Sequence, residues 1–147
     1  MGTPEKTPNH PLAQASIEAG AQIVQRIEQA DCFVPVAVER FQVVKHRGKG
    51  FWVEFDGFQM ATSSAGDALS LIDGIKAGLF STAYLSSRTT VRHQERSLVD
   101  ISLSHGLTGD MDTFRSILAS NDLKAVYHGS YALSQNTCQL AAIVTQI

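Results

Sequence analysis

The dipeptide Asp56-Gly57 lies between two segments that alternate apolar and polar residues, "FWVEF" and "FQMAT". A two-residue type I′ turn needs positive φ at both central positions, and Asp-Gly is one of the few pairs that accept it. A turn here fixes a register: Phe55 opposite Phe58, Val53 opposite Met60 and Phe51 opposite Thr62. All six share one face, and a slip of one residue would turn the apolar set outward.

The same constraint extends to the preceding strand. Pairing Phe41 with Phe55, Val43 with Val53 and Lys45 with Phe51 keeps the apolar faces together. Arg47-Gly48-Lys49 is left as a three-residue loop between His46 and Gly50. The expected unit is a three-stranded meander over roughly residues 37–46, 50–55 and 58–62. Val44 opposite Trp52 and Gln42 opposite Glu54 occupy its outer face.

A meander needs cover on its apolar face. Apolar positions recurring from Pro11 to Ala30 (Leu12, Ala19, Ile23, Ile27) predict an amphipathic helix. Ser64-Ala-Gly-Asp67 has the spacing of a capping box and opens a second helix, with Leu69, Ile72, Ile75 and Leu79 as its expected buried stripe. "FSTAYLSS" then reads as a connector.

Strand segments are expected at "TTVRHQ" and "SLVDISL", followed by a short helix in "TGDMDTFRSILAS" with Met111, Phe114, Ile117 and Leu118 buried. "LKAVYHGSYAL" and "CQLAAIVTQI" form an expected closing hairpin, and the Ile-Val-Thr run favours strand over the alternative of a terminal helix. The fold class is α+β. A mainly antiparallel sheet, the meander plus later strands, packs against two to three helices in the order α-β-β-β-α-β-β-α-β-β. Residues 1–10 read as a flexible N-terminal tail and residues 11–147 as one α+β domain.

The α-β-β-β-α order of the first half resembles that of a double-stranded RNA-binding domain. That family holds phosphates with a lysine cluster at the start of its second helix. Here the helix opens on Ser63-Ser64-Ala65-Gly66-Asp67, an acid in place of the cations, so the function is not carried over.

Composition narrows the chemistry. At 147 residues and 44% hydrophobic, the chain buries a core without disulfides or metal. A net charge of −2 excludes wholesale polyanion binding, so any anion site is a local patch. Cys32 and Cys138 are too few and too far apart for a disulfide framework or a zinc cluster. The start "MGTPEKTPNHP" has no signal-peptide core. The expected location is therefore the cytoplasm, with no membrane partner. No P-loop, dinucleotide fingerprint or metal-ligand spacing occurs, so neither cofactor nor metal is expected.

Three surfaces carry chemistry. The hairpin tip gathers Lys45, His46, Arg47 and Lys49, with Arg40 and Trp52 on the outer face behind; cations for phosphate and an aromatic for stacking are what a nucleic-acid reader uses. Arg88 and Arg92 begin a second basic cluster near another strand end. "DISLSHGLTGDMD" holds Asp100, Ser102, Ser104, His105, Asp110 and Asp112, the residue types of a metal or nucleophile site without a recognised spacing.

The expectation is a small non-catalytic binding or assembly module acting through a protein–protein surface at Val44 and Trp52, with self-association among its modes. Nucleic-acid binding through residues 45–52 is the alternative. A metal-assisted hydrolase using residues 100–112 is the second alternative.

Overall fold

The computed structural model describes residues 11–48, 50–87, 90–98, 111–134 and 137–147. Its element order is α1 (Pro11–Gln29), β1 (Val36–Val38), β2 (Phe41–His46), β3 (Gly50–Phe55), β4 (Phe58–Thr62), α2 (Ala65–Lys76), β5 (Ser81–Ser87), β6 (Thr90–His93), β7 (Arg96–Leu98), α3 (Met111–Ser120), β8 (Leu123–Ser134) and β9 (Thr137–Gln146). All nine strands join one antiparallel sheet in the order β1-β2-β3-β4-β8-β9-β5-β6-β7.

The meander forms in the expected register, with Val43 opposite Val53, Lys45 opposite Phe51, Val53 opposite Met60 and Phe55 opposite Phe58. Asp56 and Gly57 have φ of 49° and 85°, both positive, as the turn requires. Two strands go beyond the sequence reading. Val36–Val38 doubles back on β2 as a separate edge strand. Ser81–Ser87, read above as a connector, is β5, pairing with both β6 and β9. The final segment is a strand, not a helix.

Helix α2 keeps Ile72 and Ile75 of its expected stripe against the core but not Leu79. Ser64 caps it by accepting from the Asp67 amide at 3.0 Å, while the Asp67 carboxylate takes the Ser63 hydroxyl at 2.5 Å. Ala65, Ala68, Leu71, Ile72 and Gly74 are its buried residues, and Leu79 lies beyond its end at 68% exposure. Leu69 turns toward α1: a Cβ on Gly20 would stand at ordinary contact distance, 3.7 Å, from its side chain.

The sheet has a core on each face. Phe41, Val43, Val53, Phe55, Phe58 and Met60 pack under α1 and α2, joined by Ala141 and Ile143 of β9. Ala83, Leu85, Val91 and Leu98 pack under α3 (Phe114, Ile117, Leu118), joined by Ala142 and Val144 of the same β9. Successive strand residues point to opposite faces, so α1 and α2 cover one face of the first half and α3 covers the other face of the second. Strand β9 is the seam. On the α1/α2 face, a row of rings crosses the strands, Phe41–Phe55–Phe58–Tyr131–Tyr84, with centroids 4.4 to 5.5 Å apart. Tyr84 stands opposite Ala141 and Tyr131 opposite Gln139, so the two rings meet across β9.

Among the described residues no helix is long and apolar enough to cross a membrane.

Candidate functional site

The cations grouped in sequence are divided in space. Arg40 lies at the start of β2, the end away from the tip. Its guanidinium pairs with Asp56 at 2.6 Å and covers the Phe41 ring at 4.6 Å. The six residues of β2 put it roughly 20 Å from Arg47. Lys45 points to the α1 face and donates to the Glu28 carbonyl at 2.8 Å, satisfying an open carbonyl at the end of that helix. Arg92 lies on β6, six strand positions from β2 and thus roughly 29 Å away. It stands opposite Tyr84, on the face away from Trp52, and donates to Ser97 and to the Glu95 carbonyl. Lys49 and Arg88 lie outside the described residues. Of the eight basic-patch residues, His46 and Trp52 are brought together, and Arg47 is exposed next to His46 in the chain.

They are joined by a residue that sequence periodicity did not select. The α1–β1 connection carries Phe33 onto the outer face, where its amide donates to the Lys45 carbonyl at 2.7 Å. Phe33 and His46 meet edge-on with centroids 5.1 Å apart, and His46 meets Trp52 at 5.6 Å. Phe33 is 59% exposed and Val34 51% exposed. Phe33 also has φ of 68°, a left-handed conformation that a bulky residue adopts at a cost. Val44, beneath this array, is buried, and Trp52 is half-buried with its indole N–H enclosed and unpartnered among the described residues.

Asp31, two residues before Phe33, and Arg47, next to His46 in the chain, are both exposed and of opposite charge, and neither has an ion-pair partner among the described residues. The arrangement is an apolar and aromatic surface with a charge of each sign at its border.

Of the acid-rich stretch, Asp100, Ser102, Ser104, His105 and Asp110 lie outside the described residues. Asp112 is exposed in the first turn of α3, where a carboxylate suits the helix dipole. Among the described residues no group of His, Cys, Asp and Glu has metal-holding geometry.

A second polar pair lies elsewhere. The Ser81 hydroxyl and His93 Nε2 are 2.7 Å apart beside a cleft of about 650 Å³. A serine nucleophile needs its histidine oriented by a third group, and needs donors for the developing oxyanion. His93 Nδ1 is enclosed and unpartnered among the described residues, and the nearby Leu79 and Phe80 amides both donate to the Gly74 carbonyl. The pair has neither component in place.

These histidines do set a pH response. Burial, and then Arg96, pushes the His93 pKa below the ordinary 6.5; burial, and then Arg115, does the same for His128. The folded chain therefore binds fewer protons than the unfolded one just below pH 6.5. Stability is fully present above about pH 7.5 and falls as pH drops through 6.5. Urea unfolding at pH 7.5 and pH 5.5 measures the loss, and the His93→Gln, His128→Gln double variant is expected to show a smaller one. An unchanged pH dependence would remove both histidines as its source.

No protein-family model, curated protein or solved structure matches this chain.

Proposed function

We propose that the chain is a non-catalytic binding module that associates with a second copy of itself through the Phe33, Val34, His46 and Trp52 surface. The observation that carries this is Phe33: a large apolar ring, more than half exposed, held outward by a backbone conformation that costs free energy. Two unfavourable features at one surface position are accounted for when the surface is covered. Asp31 and Arg47 at its border favour a second copy. A two-fold axis through the apolar centre lets each charge meet its opposite across the interface. The sheet edges are poorer contacts, because β1 and β7 have three residues each and Pro35 precedes β1. A cytoplasmic setting agrees with this reading, since Cys32 is a free, half-buried thiol.

Sedimentation velocity tests the proposal. The native chain is expected to exceed 15.9 kDa at micromolar concentration, and the Phe33→Asp, Val34→Asp variant to return to that mass with its thermal midpoint retained. A native chain that stays at 15.9 kDa up to millimolar concentration overturns self-association. The nucleic-acid reading keeps one supporting observation, exposed Arg47 beside the ring array. Titration with oligonucleotides at low salt, native against Arg47→Ala, tests it separately.

A further inference from the structure

Strands β4 and β8 are neighbours in the sheet, yet their ladder has three pairs, Phe58 with Tyr131, Gln59 with Ser130 and Met60 with Gly129. Beyond Met60, β4 runs on to Thr62 and leaves the sheet into the Ser64 cap of α2. Strand β8 is bent in the same region by an irregularity between Ala125 and Tyr127. The two strands separate as a fork. An open cleft of about 570 Å³ lies between Ala61, Thr62 and Ser63 on one wall and Val126, Tyr127 and His128 on the other.

We propose that this fork receives an extended peptide, which adds a strand alongside β8. Along Leu123–His128, the described ladder is with β9 alone. In an antiparallel strand alternate residues direct their N–H and C=O to opposite sides, so half of these groups face the fork. The stretch of β8 that lines the cleft is Val126, Tyr127 and His128, about 10 Å of strand, enough for a short ladder. An unpaired strand edge recognises backbone first, and neighbouring side chains then select sequence.

The selecting group is Arg115 of α3. Its Nε donates to His128 Nε2 at 3.2 Å, and it has no ion-pair partner among the described residues. Held against His128 of the fork wall, this cation favours a peptide with a carboxylate opposite His128, while the Asp67 carboxylate on the lining is already taken by the Ser63 hydroxyl. The site is separate from the Phe33 surface and does not depend on self-association.

The probe is an acetylated, amidated hexapeptide alternating threonine and valine with one central glutamate, titrated into the Phe33→Asp, Val34→Asp chain and followed by amide chemical shifts. Shifts are expected at residues 61–63 and 124–128. A backbone N-methylated peptide of the same sequence is expected to bind much more weakly, having lost ladder donors. Arg115→Glu, an exposed substitution, is expected to weaken the glutamate peptide about three- to fivefold and to favour a lysine version instead. No shifts at millimolar peptide, equal binding of the N-methylated form, or shifts confined to β1 and β7 would each overturn the proposal.

Discussion

Gly129→Ala is expected to be severely damaging for the addition of a single methyl. A Cβ at position 129 would lie 1.9 Å from the Gln59 carbonyl oxygen and 2.9 Å from the Met60 Cα. Both obstacles are backbone, which cannot rotate aside, so β4 and β8 must separate. They are joined by three residue pairs, one of which is Met60 with Gly129. The loss is expected at or beyond the top of the ~1–3 kcal/mol range for overpacking. Gly74→Ala is the internal comparison. Its Cβ would also meet an obstacle, at 2.2 Å, but that obstacle is the Phe80 ring, a half-buried side chain with freedom to swing. Urea midpoints should order the variants as native, then Gly74→Ala, then Gly129→Ala. A Gly129→Ala midpoint close to native would mean that the two strands do not approach so closely.

Phe114→Ala is expected to cost about 3–5 kcal/mol, the usual range for removing a fully enclosed phenylalanine. Phe114 is wholly buried in the core beneath α3. The informative quantity is where the loss is felt. Trp52, the chain's one tryptophan, sits in the first half of the sheet, against His46 and remote from α3. Ile143 belongs to one core and Val144 to the other, so neither core can lose β9 without the other losing it too. The midpoint followed by Trp52 fluorescence is therefore expected to fall as far as that followed by circular dichroism. An unmoved fluorescence midpoint would show that the halves unfold independently.

The meander register was legible because one dipeptide admits one turn, and the alternation on both sides agrees with it. Helix α3 was legible because Phe114, Ile117 and Leu118 already mark one face. Strand β5 was not. Its side chains facing the α3 core include only Ala83 and Leu85 as apolar groups, and one of its two neighbours in the sheet, β9, comes from a distant part of the chain. The burial stripe of α2 was legible at Ile72 and Ile75 but not at Leu69 and Leu79, for a related reason. A helix touching both a sheet and another helix divides its apolar residues between them, as Leu69 and Leu71 show.

The basic tip failed to stay together because neighbouring strand residues point to opposite faces. Lys45 goes to the α1 carboxyl end, and His46 goes to the ring array. Phe33 has no periodic signature at all. It lies in a connection, and the partner that holds it outward is the Lys45 carbonyl, twelve residues away.

Strands β4 and β5 are consecutive in the chain with only α2 between them, yet β8 and β9 stand between them in the sheet. A chain that has folded as far as β7 must therefore leave a gap about 14 Å wide, bridged by α2, until the β8–β9 hairpin enters. That hairpin pairs locally with itself, but its docking closes loops of roughly sixty residues or more, the slow kind of contact. Until then two inner strand edges stand open. A hairpin from another molecule fits the same gap as well as the chain's own. Refolding at high concentration thus favours exchanged pairs, interlocked through β8 and β9, by a route that needs neither the Phe33 surface nor the fork.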